Sequence, residues 1–409
     1  MRAPTEFRFE ERRNTRAASL IRRGLRITFG FDPDPPPELV RAFGAAYFEA
    51  DPIAEDFVRA ELPTGGLRGA RRKLDEAYET NSLLERAETT ETHGALGAFL
   101  KDATTRPAWV SDELLELGAA SFRRYGSAVF RFAGAITLAG YRESSVAKPL
   151  ALSGAYVGAN TRDRFLETAS FWIEVSEPGG LAVGALGFMA ALRVRLLHAT
   201  VRIRLDGHRE WDQEAWGVPI NTGDALLTLM GGSLAPGLGM RVLGFRTTRR
   251  EIEAMLHFWR YVGHLMGVRF TPFPETVEDA LRLAYIAVLK GSNTAGEDGR
   301  TLCRSYDCAF ARRAEDGLWG YVEHALHRGM TGLFLPPPLH RAQGLPSAGL
   351  WPLLPLLPYP LIFGAETLRR RIPLVEQWMD QLARAERRAW LTRHARKAPA
   401  FTPSAELRR

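Results

Sequence analysis

His198 stands in ALRVRLLHATVRIRL, the stretch from Ala191 to Leu205, with Arg195 three residues before it and Arg202 four after. On a helix those offsets put the three side chains on one face. Val194 and Val201 share that side, while Met189, Leu192, Leu196 and Ile203 cover most of the rest. A helix apolar on most sides is a buried helix, and buried guanidinium groups demand anionic partners. Two chemistries satisfy this demand. The histidine can bind an iron whose porphyrin carries carboxylates for the arginines, or it can pack in a core where protein carboxylates meet them.

The remaining metal patterns are absent or incomplete. None of the nine histidines has a glutamate three positions before it, which removes the E-x-x-H pairs of carboxylate-bridged di-iron bundles. H-E-x-x-H is absent too. His324 and His327 in YVEHALH lie one turn apart without an evident third ligand, and read as structural. His257 and His264 share a face beside Trp259 and Tyr261 and read as packing residues. Cys303 and Cys308 have neither the thioredoxin-like nor the zinc spacing, so they read as ordinary thiols; no C-x-x-C-H is present, and any haem is held non-covalently.

Helical apolar spacing dominates the elements that must position these residues. Helices are expected at Glu38 to Phe48, Pro52 to Ala60, Leu67 to Thr80, Leu84 to Thr89, and Ser111 to Gly140 with a break near Gly126. More follow at Thr161 to Val175, Gly180 to Asp206, Thr222 to Met230, Arg249 to Met266 and Val277 to Lys290. Ser111 and Thr248 carry capping signals, and Asn221, Thr222 and Asp224 look chiefly like caps. With few alternating apolar and polar runs, the chain reads as all-α, and no fixed-period repeat suggests a solenoid.

Punctuation divides the chain into a basic N-terminal extension (1–36), a main domain (37–290), a helical and proline-rich apolar extension (291–367) and a basic tail (368–409). KGSNTAGEDGR, Lys290 to Arg300, is the best internal linker. The first thirty residues are basic and weakly patterned. From Leu368 onward eleven basic residues face four acidic ones, an excess equal to the net charge of +7 for all 409 residues. Such a tail reads as a solvated amphipathic helix. Without a basic stripe interleaved with aromatics, nucleic acid is not expected. No signal peptide is expected, and GLWPLLPLLPYPLIFG is short and proline-rich for a membrane span. The default is a cytoplasmic protein, with peripheral contact to a membrane left open.

Four collinear blocks then carry a resemblance: YVGANTRDRFLETASFW, PGGLAVGALGFMAALRVRLLHATVR, WGVPINTGDALLT and LHFWRYVGHLMGV. With weaker similarity on both sides they resemble, over roughly 40–290, the haem-b oxygenases that include the rubber oxygenases and the ER-bound oxygenase mpaB. The resemblance implies a globin-like helical core with additional N- and C-terminal helices, one non-covalent haem b, and activation of dioxygen. It implies His198 as the proximal iron ligand, Arg195 and Arg202 as candidates to neutralise the porphyrin, and Arg164 and Thr168 on the distal side.

Where rubber oxygenases carry a lysine immediately before the distal threonine, this chain has Glu167, a candidate acid or base beside bound oxygen once desolvated. Glu143 is the nearest upstream candidate for a further distal glutamate. The expectation is therefore a haem-dependent oxygenase acting on an apolar, unsaturated, isoprenoid- or lipid-like substrate. The rivals are a haem protein that carries a gas or lipid without turnover, and a haem-free helical scaffold.

Overall fold

The computed structural model describes residues 2–154, 156–158, 160–311 and 317–395. Among them the regular structure is entirely helical. The longer helices are α1 (Arg16–Phe29), α2 (Pro37–Ala45), α3 (Pro52–Ala60), α4 (Leu67–Glu79), α5 (Thr90–Thr104, bent at Gly94) and α6 (Asp112–Arg123). They continue with α7 (Ala128–Gly140), α8 (Ser144–Ser153), α9 (Asn160–Ser176), α10 (Leu186–Leu205), α11 (Thr222–Gly232) and α12 (Arg249–Leu265). The last are α13 (Val277–Lys290), α14 (Gly296–Ala309), α15 (Gly317–Phe334), α16 (Tyr359–Arg369) and α17 (Pro373–His394).

Several starts follow the capping chemistry written in the sequence. The Ser111 hydroxyl accepts from the Leu114 amide, Asn221 caps α11 by accepting from the Asp224 amide, and Thr248 with Glu251 closes a reciprocal capping box on α12.

Three helices exceed the expectation. In α1 the positions Ala18, Ile21, Leu25 and Phe29 do keep helical spacing and pack on the core, but the intervening arginines mask it. Helices α5 and α8 were likewise unexpected; α8 contains Pro149, which argues against a helix from sequence alone.

Two expectations are corrected. The supposed linker is a tied-down turn: Lys290 is buried with its Nζ 3.7 Å from Glu143, Ser292 donates its amide to Glu143 at 3.0 Å, and α14 already begins at Gly296. The basic tail is docked along one face of α17, and its residues 396–409 lie outside the described residues. Arg387 on α17 is fully buried and reaches the Ser176 hydroxyl at 2.8 Å, and Asp380 takes Arg123 of α6 at 2.5 Å. A single apolar cluster accordingly runs from Phe9 through Phe188 and Met330 to Trp390, so all four sequence segments share one core.

Candidate active site

Helix α9 turns directly into α10. The expected helix from Gly180 loses its first six residues to the PGG turn and to Gly184, whose φ of 80° suits glycine. Gly187 at the start of α10 then lies against the end of α9 so closely that a Cβ would meet the Glu174 carbonyl oxygen at 2.5 Å. By chain count Arg164 stands twelve residues before the end of α9 and His198 twelve after the start of α10. Thr168 and Val194 each stand eight residues from the same two ends.

His198 is the odd member of its stretch. Every neighbouring arginine except exposed Arg204 has a carboxylate. Arg193 donates to Asp75 at 2.7 Å; Arg195 grips Asp51 at 2.6 and 2.9 Å, with Asp102 2.7 Å away; Arg202 donates to Glu55 at 2.8 Å and to the Ile220 carbonyl at 3.2 Å. The imidazole, by contrast, has no hydrogen-bond, ion-pair or ring partner among the described residues, and it remains partly accessible. Burial, with Arg202 adding to it against the opposing pull of Asp51, lowers its pKa to about 4, so the ring is neutral at physiological pH. Val194 and Val201, one turn to either side, are also partly accessible. A neutral imidazole with a reachable nitrogen between apolar walls is the donor that a haem iron takes.

The two candidate arginines separate on this geometry. Arg195 is almost fully buried and faces two carboxylates, so its charge is met within the protein without a porphyrin carboxylate. Arg202 keeps one buried guanidinium nitrogen, Nη2, without a hydrogen-bond partner, one helical turn from His198. An orphaned cationic donor at that point suits an anionic ligand edge.

Across the pair, the Arg164 Nη1 donates to Glu167 at 2.7 Å, and both side chains are largely buried. Thr168 donates to the Arg164 carbonyl at 3.0 Å, and its hydroxyl lies 2.7 Å from the Tyr156 hydroxyl. Burial raises the Tyr156 pKa, so the phenol stays protonated. Glu167 is thus not a surface carboxylate but a member of a charged group that includes Arg164, with Arg71 of α4 within electrostatic reach. Tyr156 was missed from sequence: it precedes the turn at Gly158, and no helical period links it to Thr168.

The other candidates resolve into structure. Glu143 holds the 290–294 turn. His257 accepts from the Ser111 amide at 3.1 Å, as a satisfied packing residue does, whereas the buried Nε2 of His264 finds no hydrogen-bond partner. His327 contacts Tyr306 at 2.8 Å and Glu323 at 3.0 Å, and His324 contacts the Phe310 carbonyl at 3.1 Å. No cluster of three or more His, Cys, Asp or Glu able to hold a bare metal ion occurs among the described residues. Cys303 and Cys308 are free thiols, the former pushed up to about 12 by burial.

Comparison with known proteins agrees with this architecture. The fold is similar to that of latex clearing protein LCP in the closed state, with a TM-score of 0.59, 18% identity, and coverage of 84% of this chain and 91% of that one. At that identity the likeness establishes the fold. A rubber oxygenase from Streptomyces sp. (strain K30) is 27% identical over 238 residues, 57% of this chain and 55% of that protein, so the match spans about half the length of the relative. Residues 122–364, which hold both α9 and α10, match the model of the ER-bound oxygenase mpaB/B'/rubber oxygenase catalytic domain, and the chain belongs to that family.

Proposed function

We propose that this chain is a haem-b oxygenase that uses dioxygen to oxidise or cleave an apolar, unsaturated, isoprenoid- or lipid-like substrate. The observation that carries the reading is His198: a neutral, partnerless, reachable imidazole on a helix whose other polar side chains are nearly all matched. When bound, the haem supplies the dioxygen chemistry. His198 would hold it, and Arg202 would offer its free Nη2 to a porphyrin carboxylate.

On α9 the polar residues do what groups held largely away from water can do. Arg164 supplies positive charge, and its pairing with Glu167 fixes the guanidinium. The Thr168 hydroxyl, which can accept from the protonated Tyr156 hydroxyl, could turn its own proton from the Arg164 carbonyl to a ligand there and hold it by a hydrogen bond. The apolar side chains around His198 would exclude water and favour a substrate without polar groups. Membership of a family named for oxygenases, and a relative named rubber oxygenase, support the substrate class.

The test is an absorption spectrum of the purified protein, with a pyridine haemochrome assay. A Soret band in the wild type that is lost in His198→Ala, while Thr168→Ala keeps the band, is the expected result. Oxygen consumption with an alkene substrate should fall about a hundredfold in Thr168→Ala. A His198→Ala protein with an unchanged haem spectrum would overturn the ligand assignment.

A further inference from the structure

The segment from Gly349 to Val375 turns much of its apolar surface outward. Leu350 is 81% exposed, Leu361 78% and Leu374 74%, and the run Leu357-Pro358-Tyr359-Pro360-Leu361 is exposed throughout. Trp378 and Leu382 continue the stripe one and two turns along α17 from Leu374. The backbone beneath is held firmly. Pro352 and Pro355 pack on α15 at Gly332 and Gly329, and Tyr359 and Ile362 press on Gly244. Contiguous outward leucines on a fixed support mark a docking face.

The charges of the segment specify the partner. Its only acid, Glu366, is fully buried and paired with Arg369 and Arg124. The charges that reach solvent are Arg370 and Arg371, at the corner between α16 and α17. Leucines and aromatics beside exposed guanidinium groups, with the exposed carboxylate Glu376 tied to Arg369 at 3.0 Å, match the acyl boundary and headgroups of an anionic bilayer. A second copy of the chain would instead bring two like-charged corners together.

We infer that the face formed by residues 349–382 docks on an anionic membrane surface, inserting Leu357 and Leu361 at the acyl boundary and setting Arg370 and Arg371 against lipid phosphates. The inference is independent of the reaction at His198.

Flotation of the full chain with vesicles tests it, comparing phosphatidylcholine alone with phosphatidylcholine plus phosphatidylglycerol. Wild type should bind the anionic vesicles, and binding should weaken with added salt. Leu357→Glu with Leu361→Glu should lower affinity at least about tenfold, and Arg370→Gln with Arg371→Gln about thirtyfold. Leu84→Glu, an exposed leucine elsewhere, should leave binding unchanged, and circular dichroism should show all variants folded. Wild type that ignores anionic vesicles, or paired variants that bind as wild type does, would overturn the inference. So would a dimeric wild type made monomeric by the leucine substitutions, which would identify the face as a contact between copies.

Discussion

At the scale of residues, charge matching on α10 is what isolates His198. Arg195 is almost fully buried, a state that guanidinium tolerates because Asp51 and Asp102 lie against it, and because its cation stands 4.9 Å over the Phe99 ring. Removing one member of such a pair leaves an uncompensated buried charge. Asp51→Asn should therefore cost about 3 kcal/mol, visible as a lower urea midpoint at unchanged slope. Arg204→Ala, at an exposed position, should stay within about 0.5 kcal/mol of wild type. Equal midpoints for the two variants would contradict the assignment of buried charge pairs to this helix.

The α9–α10 hairpin is the element that carries Arg164, Thr168 and His198. Its tight approach depends on Gly187, where an added Cβ would sit 2.5 Å from one backbone oxygen and 2.6 Å from another. Backbone atoms cannot swing aside as a side chain can, so Gly187→Ala must push the helices apart. A loss of about 1–3 kcal/mol is expected, measured as a fall in melting temperature and, on the proposed haem reading, as weaker haem retention on gel filtration. Gly184→Ala would be strained for a different reason, its positive φ, and nothing lies within 4 Å of the added carbon. It should affect stability without spreading the two helices at the site.

For the whole molecule, buried histidines set the response to acid. Burial lowers the pKa of His264 and of His327 to about 4, against an ordinary value of 6.5 in the unfolded chain. Above pH 6.5 both states are neutral at these rings and nothing is gained or lost. As pH falls from 6.5 toward 4 the unfolded chain takes up protons that the folded chain refuses, so stability declines across that window, by about 1.4 kcal/mol per unit of depression. Melting temperatures should fall from pH 7 to pH 4.5. Below that, protonation of Glu323, held far below its ordinary range by Arg131 and the His327 hydrogen bond, removes more stability. A flat profile between pH 7 and 4.5 would show that these rings are not neutral in the native state.

The order of elements was legible because it rests on local chemistry. Apolar spacing and capping residues specify α3 and α13 almost to the residue, and the spacing around His198 marks a buried helix that needs anions. What the anions are was a tertiary matter: Asp51, Glu55, Asp75 and Asp102 come from α4, from α5 and from α3 and its N-cap, a hundred residues or so away, and no period links them to their arginines. Tyr156 reached Thr168 only through a turn, and α17 became part of the core with Glu174 of α9 and Glu177 there to receive its arginines. A sequence records which side chains require a partner. Choosing among partners of equal chemistry depends on which of them the packed helices bring within hydrogen-bond distance.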